Sequence, residues 1–298
     1  MATLYTQQNK NVNKTWLLMG AMLVLIVAIG FFLSQYYSDP GILYVAIIFS
    51  LLLNFASYWW SAKIVLGLYR ARPASIETEH NLINIVENLA ITAGLPIPKI
   101  YVIPDPAPNA FATGRNAKNA VVAVTSGLLV MLNKTELEGV IAHEMSHIGN
   151  RDILLNTVVV VLVGSLAILS DIFLRSTFFG SRSNNDKGGG IIMIIGLILM
   201  ILSPIIAQMI QLAISRKREF LADASGALLT RYPEGLAGAL QKISSFPGQM
   251  KMANNATAHL FISSPFGKAG NKISNLFMTH PPVEARIKAL LGDREYEK

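Results

Sequence analysis

The sequence predicts a mainly α-helical integral membrane protein: four transmembrane helices and a cytoplasmic α+β domain assembled from two separate stretches of chain. Three observations carry this. Of 298 residues, 52% are hydrophobic and 14% charged, and the mean hydropathy of +0.45 is too high for an ordinary soluble domain. Four long runs carry no charge, and His143-Glu144-Met145-Ser146-His147 falls in a polar stretch between the second and third of them.

The uncharged runs are Trp16–Leu33, Gly41–Ala62, Ile153–Ser170 and Gly188–Ser215. Each matches or approaches the length needed to cross a hydrocarbon core of about 30 Å. The first follows Lys10 and Lys14 as a signal peptide would, but it is long and lacks a small-x-small cleavage site at Ser34-Gln35-Tyr36, so it reads as a retained anchor. Basic residues before the first run and at Lys63, Arg70 and Arg72 after the second place the N-terminus in the cytoplasm by the positive-inside rule. Arg175, Arg182 and Lys187, between the third and fourth runs, conflict with that topology. The organisation expected is a transmembrane hairpin over 1–62, a polar part over 63–152, a second hairpin over 153–214 and a second polar part over 215–298.

Within the first polar part, Leu82, Ile85, Val86, Leu89 and Ala93 recur at helical spacing, which predicts a helix over Ile76–Ala93 stopped by Gly94. Lys99–Ile103 and Asn119–Thr125 read as strands, separated by the turn-rich Pro104-Asp105-Pro106-Ala107-Pro108. Asn109-Ala110-Phe111-Ala112-Thr113-Gly114 is either a hairpin arm or an edge strand to which an extended peptide could add main-chain hydrogen bonds. Gly180–Gly190 and Gly248–Ala258 read as loops, the second a candidate lid.

The net charge of +7 gathers at the ends of the apolar runs, as at Arg216-Lys217-Arg218, which fits lipid headgroups and not nucleic acid. The absence of cysteine excludes disulfides, thiolate metal ligands and a cysteine nucleophile. Any zinc site must therefore use nitrogen and oxygen.

Leu137, Val140, Ile141 and Ile148 give the His143–His147 segment an apolar helical face, and Thr135 with Glu138 has the form of a capping box. Residues four apart on a helix differ by about 40° in azimuth and about 6 Å in height, so His143 and His147 can grip one ion while Glu144 stands one step aside. A catalytic zinc needs a third protein ligand and an open position for water. His80 and His259 read as ordinary structural histidines, and the positions of an elongated three-histidine motif hold Asn150 and Ile153. Glu219 is the leading third ligand, with Asp223 one turn away and able to hold a ligand histidine by its second ring nitrogen; Glu234 and Glu284 compete. If the flanking runs are antiparallel helices, His147 and Glu219 leave the membrane at similar heights, about 9 Å and 7 Å beyond the apolar cores. His280 is a candidate oxyanion donor, and Arg286 either holds Glu219 or substrate or is a surface charge.

These features together resemble the HtpX family of bacterial membrane zinc metalloproteases, related to the CAAX prenyl endopeptidases. The resemblance spans nearly the whole chain: the N-terminal apolar hairpin, Asn109-Ala110-Phe111, His143–His147, the second apolar pair, Glu219–Asp223, and Thr279-His280-Pro281-Pro282 with Arg286. It implies a zincin-like (gluzincin) domain with one zinc per subunit on His143, His147 and Glu219, and Glu144 as acid/base. It also implies a multi-pass protein of the bacterial cytoplasmic membrane, with membrane or unfolded proteins as substrates, acting in quality control beside an ATP-dependent membrane protease. The competing classes are an intramembrane protease, which the charges at Glu136, Glu138, Arg151 and Asp152 disfavour, and a metal transporter or inactive scaffold. A transporter would bury ionisable ligands within its spans, and none of the four runs has one at its centre.

Overall fold

The computed structural model describes residues 4–180, 216–254, 256–267 and 281–292. Helices α1 (Leu4–Tyr37) and α2 (Gly41–Trp59) form the expected hairpin. Within them Gln8–Tyr37 and Gly41–Trp59 are each long and apolar enough to cross a membrane. The two helices close on each other at Gly30, where a Cβ would stand 2.2 Å from that of Ala46, so only glycine fits the crossing. Trp16, Trp59 and Trp60 are exposed, as aromatic residues are at a membrane interface.

Helix α3 (Ser61–Leu68) leads into β1 (Arg72–Pro73) and α4 (Ile76–Ala93). The Ser75 side chain caps the start of α4, and Gly94 ends it at φ 65°, a left-handed conformation open to glycine. Strands β2 (Lys99–Ile103), β3 (Ala110–Gly114) and β4 (Ala120–Thr125) follow. The sheet order is β1-β2-β4-β3, with β2 and β4 parallel and β3 antiparallel to β4. Ala110–Gly114 is thus both an edge strand and the first arm of a hairpin with β4, so both sequence readings of it hold.

After α5 (Ser126–Met131) come α6 (Lys134–Gly149), which carries both histidines, and α7 (Asp152–Gly180). The capping box of α6 is Asn133 with Glu136, not Thr135 with Glu138. Asn133 has the extended backbone a cap requires, whereas Thr135 already lies in the first turn and donates its hydroxyl to the Asn133 side chain. Between α6 and α7 the axis bends by 85°, with Arg151 at φ 58° in the turn. Helix α7 runs through Asp171 and Arg175, ten residues past the Ser170 expected from charge alone. The fourth apolar run, Gly188–Ser215, lies outside the described residues, as does nearly all of Gly180–Gly190. Among the described residues the remaining α-helices are α8 (Arg216–Thr230), α9 (Pro233–Ser245) and α10 (Val283–Leu291).

Three apolar clusters hold these elements. On one sheet face, Val140, Ile141, Ala142 and Met145 of α6 pack with Leu82, Ile85 and Val86 of α4, Leu236 and Leu240 of α9, and Val122 of β4. Each buried Val, Leu, Ile or Met side chain here contributes about 1.5–3 kcal/mol of transfer free energy. On the other face, Phe111 and Val121 meet Val65, Tyr69 and Phe261. The third cluster joins α1 to α7 through Leu18, Met22 and Ile26 against Leu155, Val158 and Leu162.

The segment Gly248–Ala258, a candidate lid by composition, is stitched to the core. The Lys251 backbone N–H donates to Asp105 at 2.8 Å, the Met250 N–H to the Pro265 carbonyl at 2.9 Å, and Thr257 shares a hydrogen bond with Tyr69. Arg218, grouped by sequence with a lipid-facing collar, is buried 3.5 Å from Asp152, because its place on α8 turns it inward.

Candidate metal centre

Helical spacing puts His143 and His147 one turn apart on α6, their Nε2 atoms 3.2 Å from each other. Glu219, in the first turn of α8, completes a triangle: its Oε1 is 3.7 Å from His147 Nε2 and its Oε2 3.8 Å from His143 Nε2. One potential ligand atom from each residue lies within 4.8 Å of the other two, and all three residues are buried. Among the described residues this is the cluster that could hold a metal ion. The donor set suits one: two imidazole nitrogens and one carboxylate leave a fourth position open.

Each histidine is aimed by a carboxylate on its far ring nitrogen. His143 Nδ1 lies 2.9 Å from Asp223 Oδ1, and His147 Nδ1 lies 3.1 Å from Asp152 Oδ2. Such pairing fixes the tautomer that leaves Nε2 free to ligate. The two carboxylates are themselves held differently. Arg286, from α10, forks onto Asp223 with Nε at 2.8 Å and Nη2 at 2.6 Å, while its Nη1 donates to the Ile262 carbonyl at 3.0 Å. Asp152 is met by Asn11 and Arg218.

Charge follows this geometry. Burial opposes ionisation of Asp223, but hydrogen bonds from Arg286 and His143 outweigh it and hold the carboxyl below its ordinary range. Burial likewise disfavours a charged His147, yet Asp152 and the nearby Glu219 raise it to about 9. Glu144 is pushed up, chiefly by burial, against the opposing charges of His143 and His147 and a backbone hydrogen bond from Ala112. That bond joins the edge strand to Glu144.

The approach of α8 to α6 depends on Gly226. A Cβ there would stand 2.9 Å from the His143 backbone nitrogen, so a larger residue would lift Glu219's helix off the histidine helix. Gly226 lies seven residues after Glu219, two turns along the same face.

His143, Glu144, His147, Glu219 and Asp223 therefore come together as the sequence suggested. Arg286 is not a surface charge. It is 1% exposed and grips Asp223, because α10 packs its buried face toward α8. Asn109 is buried and spends its side chain on the Ser263 carbonyl and the Ala110 N–H. Phe111 is buried edge-on against Phe261. Both side chains are thus engaged within the fold, and the Ala110 carbonyl already accepts from the Ile262 N–H. Glu234 and Glu284 are exposed beside a groove between α9 and α10. His80 is exposed near Asn84, and His259 is buried against the Asn156 carbonyl. His280 lies outside the described residues.

Asp152, Asn11 and Gly226 were not anticipated. Asp152 sits beyond the bend that ends α6, so helical periodicity gives it no azimuth relative to His147. Gly226 could have been suspected from its two-turn spacing after Glu219. Asn11 carries no local signal.

A helical membrane hairpin joined to a unit in which two helices bring two histidines and a glutamate together, with a glutamate beside them, is the architecture of a membrane-associated peptidase. Residues 77–294 match Peptidase family M48, and the chain belongs to that family. It is 50% identical over 295 residues to a protein called "Protease HtpX homolog" from Caldanaerobacter subterraneus subsp. tengcongensis, with 97% of each chain covered. It is 47% identical over 279 residues to one of the same name from Pyrococcus furiosus, covering 93% of this chain and 94% of that protein. The resemblance to the HtpX family thus holds over nearly the whole length. Among solved structures, it is similar to that titled "Crystal Structure of S. mikatae Ste24p", with a TM-score of 0.49 and 19% identity over 97% of this chain and 66% of that one.

Proposed function

We propose that this protein is a membrane-bound zinc endopeptidase that hydrolyses membrane or misfolded proteins at the cytoplasmic face of a bacterial inner membrane. The observation that carries this is the convergence of His143, His147 and Glu219, each histidine backed by a carboxylate, with Glu144 buried beside them. His143 Nε2, His147 Nε2 and a Glu219 oxygen would hold one zinc ion. When bound, zinc supplies Lewis-acid activation of water and of the scissile carbonyl.

The chain's own residues do the rest. Glu144 takes the proton of the attacking water and passes it to the leaving amine. Its burial suits both roles, since a carboxyl raised above its ordinary range accepts a proton more readily near neutral pH. The edge strand β3 lies against Glu144 through the Ala112 N–H, so a peptide laid along that edge past Asn109–Phe111, where Ile262 already holds the Ala110 carbonyl, would present a bond beside the base. His280 would donate to the developing oxyanion. Asp223 and Arg286 keep His143 aimed.

The two N-terminal helices anchor the enzyme, and the third and fourth apolar runs complete a four-span, multi-pass topology in which 63–152 and 215–298 form one zincin-like unit. The family resemblance extends this to stress response and protein quality control, with an ATP-dependent membrane protease as partner.

The test is cleavage of an unfolded protein by the detergent-solubilised full chain, stripped with chelator and reloaded with zinc, alongside Glu144→Gln. Zinc-restored cleavage in wild type and its loss in a variant that still binds zinc are expected. Equal behaviour of the two with zinc bound would overturn the assignment in favour of a scaffold or transporter.

A further inference from the structure

The first membrane helix reaches the metal centre. The buried Asn11, on α1, donates from Nδ2 to Asp152 Oδ1 at 2.6 Å and lies 3.2 Å from the Asn150 carbonyl. Three residues earlier, Gln8 donates to the Gly149 carbonyl at 2.6 Å. Both carbonyls belong to the end of α6, where a helix has acceptors without intrahelical partners. The C-terminus of the histidine helix, at its 85° bend, is therefore closed by side chains of α1.

Asn11 continues the stripe by which α1 packs. Asn11, Thr15, Leu18, Met22 and Ile26 recur every three or four residues and are all buried. Leu18, Met22 and Ile26 seat α1 on α7, and α7 begins at Asp152. The apolar part of the stripe sets the register between the two helices, and the polar part converts that register into one hydrogen bond on the carboxylate that aims His147.

We infer that Asn11 is a positioning residue for the metal centre: by fixing Asp152 it fixes the ring of His147, so that α1 is part of the site as well as an anchor. The inference rests on the zinc reading above. Asp152 has two carboxylate oxygens, and the hydrogen bond to Oδ1 keeps Oδ2 pointed at His147 Nδ1. Without it Oδ1 is left to the longer contact with the Arg218 guanidinium at 3.5 Å, a looser hold on the carboxylate plane.

The experiment uses the full chain in detergent, stripped of metal and titrated with zinc against a chromogenic chelator, and with cobalt(II) followed by its visible absorption. Partners of a ligating histidine typically change metal affinity 10–100-fold, and Asn11 stands one bond further out, so Asn11→Leu is expected to weaken zinc binding about 3–10-fold. It should also change the cobalt spectrum, which reports ligand geometry. Gln8→Ala removes the neighbouring tie to α6 without touching Asp152, so it should lower Tm and leave the spectrum alone. If Asn11→Leu does not fold, Asn11→Ser, too short to span to Asp152, takes its place. Unchanged affinity and spectrum in either Asn11 variant, with wild type binding metal normally, would overturn the positioning role alone. A wild type that binds neither ion would overturn this inference together with the proposed function.

Discussion

The two histidines of the site are supported from opposite directions. His143 is held from the polar part of the chain: Asp223 lies one helical turn after Glu219, and Arg286 clamps it from α10. His147 is held from the long apolar helices, by Asp152 at the head of α7 and Asn11 on α1. One arm is a forked ion pair, 1–2% exposed at the side chains. The other rests on a neutral amide, with a more distant guanidinium. The first arm resists distortion by charge, whereas the second depends on how α1 packs on α7, so the site joins a rigid support to an adjustable one.

Breaking the rigid arm should cost most. Arg286→Ala leaves Asp223 buried without its guanidinium, a change of about 3–5 kcal/mol for a buried pair. The expected outcome is a large drop in Tm by calorimetry, with the Asp223→Asn/Arg286→Ala double variant recovering part of it. On the other arm, Asp152→Asn preserves shape and should lower zinc affinity about 10–100-fold with a smaller change in Tm, measured by chelator competition. Between the arms, Gly226→Ala should force α8 from α6 and destabilise by about 1–3 kcal/mol, while weakening zinc binding through displacement of Glu219.

Taken per unit, the effect of pH is no larger than the low end of that of Asp152→Asn. With His147 raised to about 9 in the metal-free protein, zinc at neutral pH must expel its proton. Affinity is therefore expected to rise with pH by up to about tenfold per unit below 9 and to flatten above it. Calorimetric titration in buffers of different ionisation enthalpy would count the proton released. In Asp152→Asn the rise should level off at lower pH, because the hydrogen bond and charge that hold the proton are reduced.

The contrast between the arms also marks what the sequence discloses. His143, His147 and Glu144 lie on one helix and obey its period, and Asp223 follows Glu219 by four residues, so helical geometry sufficed. The strands and α4 were readable because their β-branched runs, apolar spacing and Gly94 stop are local signals. The start of α6 was misplaced by two residues, since Asn133 and Thr135 are both competent caps and only the backbone conformation separates them. Asp152 and Asn11 were out of reach: a bend severs the first from the period of α6, and 141 residues separate the two. The role of Arg286 depends on the packing of α10, which its own nine residues do not specify.

The bond between Arg286 and Asp223 has a consequence in time. Of the residues that build the centre, Asn11 is synthesised first and Arg286 last, after the apolar segments that separate them have left the ribosome. His143 therefore lacks its finished support until those segments have been made. Since a domain's long-range contacts can form only once both ends of each contact exist, the order of translation itself keeps the nascent chain from assembling this centre before its apolar segments have been made.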